Sequence, residues 1–227
     1  LMGSEMCIRD RRDVVCGGGQ PCFGFTPDGA GYKTPHGVEF NPEKARALLA
    51  QAGFPGGKGF PRLELMTTSR EVQKTMAEAI QGMWKRHLGV HVDIRSCEWT
   101  AYKFAQNSMQ YDFSSSSWSG DYLDPSSFLD LWSSASGNNN TGWSRPEYER
   151  LLAESRATGD QEKRMALLAR AEALMLSESP VIPLYWARRS YLKSPEVRGW
   201  HPLLLDNHLF EDISLGAPRE QGKEAAP

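Results

Sequence analysis

The sequence predicts an α/β fold, with a mixed sheet flanked by helices. Two stretches alternate apolar and polar residues as strands do, Leu63 to Thr67 and Val90 to Arg95. Each is followed by a stretch with helical spacing, Glu71 to His87 and Glu98 to Ser108. Strands that alternate with helices mark α/β architecture. At 227 residues, 40% of them hydrophobic, the chain is long enough to bury such a core.

Each element has a local reason. Asn41-Pro42 opens a helix, with Asn as N-cap, Pro at the first position and Glu43 in the first turn. Ala45, Leu48, Leu49 and Ala52 recur at helical spacing, and Gly53 stops it. Phe54 to Phe60 reads as a turn. In the second helix Val72, Met76, Ala79, Ile80, Met83 and Trp84 lie near one face, and Gly89 ends it. The third carries Trp99, Tyr102 and Phe104. Asp112 to Ser117 is extended, and Ser126 to Trp132 is a short apolar helix. Arg145-Pro146-Glu147 starts a helix with Tyr148, Leu151 and Leu152. Asp160 caps a longer one with Met165, Leu168, Ala171, Leu174 and Met175 inward and its charges on a solvated face. Pro180 to Trp186 reads as a strand at a crossover, Tyr191-Leu192 as a second short strand, and Trp200 to Leu215 as loop with a final strand. Asp13 to His36, rich in Gly and Pro, reads as mostly loop.

Composition removes several functions. With 26 basic and 28 acidic residues the net charge is −2, and no basic footprint for nucleic acid exists. No apolar run reaches the roughly 20 residues of a membrane span. Gly17-Gly18-Gly19 lacks the strand–loop–helix context and the Lys-Ser/Thr of a phosphate loop, and Gly57-Lys58 is followed by Gly59. His87 and His91 are four apart, but Gly89 breaks the helix between them, so no metal pair is expected. No Cys-x-x-Cys occurs; Cys16 and Cys22 are read either as a small disulfide loop or as two thiols.

Tyr111 to Trp143 concentrates carboxylates, aromatics and amides where a strand gives way to a loop. Binding groups are often carried on loops held by a rigid scaffold. Within it, W-S-G-D-Y-L-D-P-S-S-F-L followed by N-N-T-G-W resembles the signature region of the extracellular solute-binding proteins of the peptide/dipeptide/nickel group, the capture subunits of bacterial ABC importers. P-E-K-A-R-A-L-L-A-Q-A-G-F-P-G-G-K-G-F-P and M-W-K-R-H-L-G-V-H-V-D-I extend the resemblance upstream. R-P-E-Y-E-R-L-L, R-M-A-L-L-A-R-A-E-A-L-M and P-V-I-P-L-Y extend it downstream, so that it covers roughly Val14 to Leu215.

The resemblance implies a type II periplasmic-binding-protein-like lobe at residues 36–192. Residues 12–35 cross from a second, incomplete lobe and 193–216 return to it. Residues 217–227 form a disordered tail. Residues 1–11 resemble translated sequencing-adapter read-through or an ordinary disordered terminus. Family members are more than twice this long, so the chain is expected to be their C-terminal portion, with a signal peptide upstream. The implied partners are a peptide or other small solute and a membrane permease. The protein is expected to be monomeric, periplasmic or at the cell surface, with no cofactor, no metal and no nucleic acid.

For the ligand site the resemblance points to Asp121, which in peptide-binding members pairs with the ligand's α-ammonium group. Asp124, before the Ser126 helix, suits a cap instead. Trp118 and Asn140 match ligand-side positions. Tyr122 and Trp143 suit side-chain pockets or core packing. Tyr185 and Trp186 are expected at the cleft wall. Some oligopeptide-binding members carry an Arg before the Trp, but this chain reads Phe113-Ser-Ser-Ser-Ser-Trp118. Ligand length and class therefore stay open between peptide, sugar, nickel complex and haem, as does a sensor role without transport. A glycosidase would need Asp121 and Asp124 to flank a bond, and their spacing gives no support for that.

Overall fold

The computed structural model describes residues 19–37, 40–187, 191–203 and 208–216, in two units, Leu1–Arg188 and Arg189–Pro227. In the first unit a two-residue strand, β1 (Gln20–Pro21), comes first. Asn41 caps α1 (Pro42–Gln51), its side-chain oxygen accepting the Lys44 N–H at 2.8 Å. Then follow β2 (Leu63–Thr68), α2 (Glu71–Leu88), β3 (Val92–Cys97), α3 (Trp99–Asn107) and β4 (Phe113–Ser114). The short α4 (Ser126–Leu129) leads to α5 (Pro146–Ala157), α6 (Gln161–Glu178) and β5 (Tyr185–Trp186).

The expected alternation of strand and helix is present, and among the described residues parallel and antiparallel pairings fall in separate ladders. β3, β2 and β4 form a wholly parallel sheet in that order, and β5 pairs antiparallel with β1 on its own. Pro180 and Pro183 supply no N–H, so only Tyr185–Trp186 of the predicted crossover strand joins a ladder. Leu65 faces a core made with Met76, Ala77, Ile80 and Met83 of α2 and with Val90 and Val92. Met66, on the opposite face, packs with Tyr102 and Ala105 of α3. Helices thus cover both faces, which suits a parallel sheet. Not every predicted core position is buried. Val72, in the first turn of α2, is exposed, as is Leu48 of α1.

The turn between α1 and β2 is fixed by a backbone contact. Gly89 ends α2 in the left-handed region at φ 69°, and Gly57 stands opposite at φ 76°. A Cβ on Gly57 would lie 2.5 Å from the Gly89 carbonyl oxygen, so the two chains meet this closely only as glycines.

A second core joins α4, α5 and α6 through Leu129, Trp132, Tyr148, Leu151, Leu152, Leu168, Ala171 and Met175, and it includes Tyr32. This core overturns one expectation. Glu172, assigned with the charges of α6 to a solvated face, is fully buried. Its carboxylate accepts the Phe25 and Thr26 N–H groups at 2.7 and 3.0 Å and the Tyr32 hydroxyl at 2.5 Å. Burial pushes the Glu172 carboxyl up, and these donors oppose the shift. A segment with almost no regular structure is held to α6 in this way.

In the second unit β6 (Val197–Arg198) pairs antiparallel with β7 (Ser214–Leu215). The predicted strand at Tyr191-Leu192 joins no ladder, and the Tyr191 ring instead packs edge-on against Trp200, centroids 4.2 Å apart.

Glu172→Leu should remove the acceptor of two buried N–H groups and cost roughly 3 kcal/mol, whereas Glu172→Gln, which retains an acceptor, should cost about 1 kcal/mol. Urea denaturation followed by circular dichroism would measure both.

Candidate ligand-binding site

The strand order β3-β2-β4 reverses at β2: the chain moves from β2 to one neighbour, then returns across it to β4 on the other side. In open parallel sheets, ligands collect beyond the carboxyl ends of the strands at such a reversal. The segment leaving β4 begins there. The Ser115 N–H donates to the Met66 carbonyl at 2.9 Å, continuing the ladder by one bond. The Ser115 hydroxyl donates to the Gln73 amide oxygen of α2 at 2.9 Å, and the Ser115 carbonyl accepts the Tyr102 hydroxyl of α3 at 2.5 Å. Helices on both faces therefore grip the polar run before Trp118. The Ser115–Gln73 pair is neutral.

Beyond it the chain folds onto α4. The Trp118 indole N–H donates to the Ser127 carbonyl at 2.9 Å. The Asp121 and Tyr122 N–H groups point at the buried Ser127 hydroxyl oxygen, at 2.6 and 3.4 Å. Trp118 is half-buried, and Asp121 and Tyr122 are exposed. The Asp121 carboxylate has no partner among the described residues.

Asp124 differs in every respect. One of its oxygens accepts the Ser126 N–H at 2.9 Å and the Ser126 hydroxyl at 2.7 Å, the local role expected of it. Arg164 of α6, which the sequence did not single out, grips both oxygens at 2.7 Å. The pair is sheltered, its side chains 20% and 25% exposed. Arg164 first, then the Ser126 contacts, hold the Asp124 carboxyl down at about 2.

The remaining candidates lie elsewhere. The Asn140 carbonyl accepts the Tyr111 hydroxyl, which ties the Asn-rich loop to the segment before β4. Its neighbour Asn139 braces that loop, donating to the Trp132 and Trp143 carbonyls at 3.1 and 2.9 Å. Trp143 is built into the helical core: its ring stands edge-on to Tyr148 and its N–H donates to Glu178 at 2.8 Å. Tyr185 packs against the core of β2 and α2, and Trp186 pairs with Gln20. The structure thus gathers Trp118, Asp121 and Tyr122 around Ser127, while Asn140, Tyr185 and Trp186 are fixed by other contacts. Cys16 lies outside the described residues, and the Cys16–Cys22 pairing with it.

A hollow of about 520 Å³ opens at the other end of the sheet, beside Arg62, Gln81, Lys85 and His91. It lies at the amino ends of β2 and β3, away from the strand reversal, and Arg62 is paired there with Asp93 at 2.6 Å. His87, the other half of the histidine pair, stands edge-on to Phe40.

Residues 12–140 match the middle region of family 5 of the bacterial extracellular solute-binding proteins. The chain belongs to that family. It is 32% identical over 177 residues to the oligopeptide-binding protein OppA of Bacillus subtilis, covering 78% of this chain and 32% of that protein. It is 33% identical over 180 residues to the dipeptide-binding protein DppE of the same organism, with 78% and 33% coverage. The crystal structure of a periplasmic oligopeptide-binding protein from Borrelia burgdorferi superposes with a TM-score of 0.79 at 30% identity, over 91% of this chain and 42% of that one. The family 5 chain described here thus spans about a third of the length of these curated relatives. Its architecture is that of a type II periplasmic binding protein. Among the described residues no helix is long and apolar enough to cross a membrane.

The Asp124–Arg164 pair gives stability a defined pH dependence. Its folded carboxyl value lies below that of an unfolded Asp, about 3.9. The contribution is therefore complete above that value and is lost as pH falls towards the folded value of about 2. Arg164→Met should cost roughly 2 kcal/mol at neutral pH. Urea unfolding repeated at falling pH should show wild type and variant converging below about pH 4.

Proposed function

We propose that this chain is the ligand-facing portion of the capture subunit of an ABC importer, and that its ligand is a peptide. Asp121 carries the reading: an exposed carboxylate on the segment that follows β4, with no partner of its own among the described residues. A primary ammonium group would give it a charge-assisted hydrogen bond, strengthened as a closing cleft excludes water. Trp118 and Tyr122 beside it offer aromatic surface to side chains. Asn140, Tyr185 and Trp186, held by other contacts in this structure, are assigned to the ligand wall on the family resemblance alone.

The mechanism is closure of two lobes about a hinge, with ligand bridging them and the closed form presented to a membrane permease. The protein acts as a monomer in the periplasm or at the cell surface and catalyses no reaction. Asp124, the second acid a glycosidase reading would use, is bound to Arg164. Residues 36–192 make up the lobe, 12–35 cross to it from a second lobe, with Phe25, Thr26 and Tyr32 already docked on α6, and 193–216 return to that second lobe.

In the complete two-lobe protein, Asp121→Ala should weaken peptide binding by roughly 2–5 kcal/mol, as removing one partner of a desolvated charge pair does. Calorimetry with free-amine and N-acetylated peptides decides the matter. N-acetylation should weaken binding to wild type but add little to the loss in Asp121→Ala. If the variant binds free-amine peptides like wild type, the ligand has no ammonium anchor here, and the sugar or metal-complex reading gains.

The 227-residue chain by itself should bind peptide much more weakly than the two-lobe protein, because one wall of the cleft is missing. Equal affinities in the same calorimeter would count against the two-lobe reading.

A further inference from the structure

Two anchors of the Trp118–Tyr122 loop converge on one small residue. The hydroxyl oxygen of Ser127 receives the Asp121 and Tyr122 N–H groups, and its carbonyl receives the Trp118 indole. Ser127 is 5% exposed, whereas the residues whose N–H groups it holds are exposed. It stands on a rigid support. Leu129 of the same short helix is fully buried and its carbonyl accepts the Tyr148 hydroxyl at 2.7 Å. Gly120 adds a steric condition, since a Cβ there would fall 2.8 Å from the Phe128 ring. A side chain at this position would have to displace the Phe128 ring or lift the loop from α4.

We infer that Ser127 is the positioning residue of this site: it sets the Trp118–Tyr122 loop in place before ligand arrives, and so governs how well Asp121 receives a primary ammonium group. The inference rests on the reading of Asp121 given above. Its physical basis is the placement of an ordering cost. A loop fixed during folding loses no further freedom on binding, whereas a loose one must be ordered by the ligand. Without the hydroxyl, two N–H groups lose their acceptor. Both lie at the surface, so the loop can recover those hydrogen bonds from water by lifting off α4. The damage then falls on the geometry of Asp121 rather than on the core.

Ser127→Ala in the complete two-lobe protein tests this with two measurements. Amide hydrogen exchange without ligand should show the Asp121 and Tyr122 N–H groups exchanging at least about tenfold faster than in wild type. Calorimetry should show affinity for a free-amine peptide falling about tenfold and that for its N-acetylated form less than about threefold. Ser127→Thr, which retains the acceptor, should keep both the protection and the selectivity. Gly120→Ala, which displaces the loop while leaving Ser127 intact, should give the same selective loss. Unchanged amide protection in Ser127→Ala overturns the inference. So does an equal loss of affinity for both peptide forms, which would make Ser127 a stabiliser of the lobe and nothing more. If wild type does not discriminate between the two peptides, the reading of Asp121 fails, and the exchange rates still decide whether Ser127 holds the loop.

Discussion

The helical half of the first unit depends on a buried carboxylate. Glu172 has no exposure and three donors drawn from residues 25–32. Burial of a carboxylate is costly without such partners. Here they come from a segment with little secondary structure of its own, so that segment and α6 are defined together. The same helix reaches Asp124, just before α4. Arg164 lies eight residues before Glu172, about 12 Å along the axis at 1.5 Å per residue. One end of α6 is fixed by an acid it contributes, the other by an acid it receives.

Two aspartates three residues apart have opposite fates for that reason. Asp124 is within reach of α6, and its charge is consumed by Arg164 and Ser126. Asp121 is held only through its backbone, which leaves its carboxylate open to whatever comes. Separation of roles between neighbouring like charges is set by their surroundings rather than by residue type. One of the two is therefore neutralised by a cation of α6 while the other is not.

Much of this was legible in the sequence. Local chemistry gave α1 through Asn41 and Pro42, the end of α2 through Gly89, and α6 through Asp160, whose side chain accepts the Lys163 N–H at 3.1 Å. The motif around Trp118 and Asp121 pointed to the stretch that folds onto α4. What stayed hidden was non-local. Glu172 reads like any surface charge of an amphipathic helix, and its acceptor role depends on residues 146 or 147 positions earlier. Arg164 has the same disguise. Ser127 is one of several serines in its stretch, and only the fold of the loop onto α4 distinguishes it. The strand expected at Tyr191 failed for a related reason: extended propensity needs a neighbour to pair with, and the ladder formed at Val197 and Leu215 instead.

The Glu172 contacts also set an order of assembly. The sheet with α2 and α3 is built from residues close in the chain, since β2, β3 and β4 lie within Leu63–Ser114. The helical core, by contrast, needs Tyr32 to meet Glu172 across a sequence separation of 140. Long closures carry an entropic cost that local ones do not, and they slow folding. A chain emerging from the ribosome can form its parallel sheet early, but residues 25–32 must wait unpaired until α6 has been synthesised. Of the two cores in this unit, the helical one is therefore the one that closes over the longer stretch of chain.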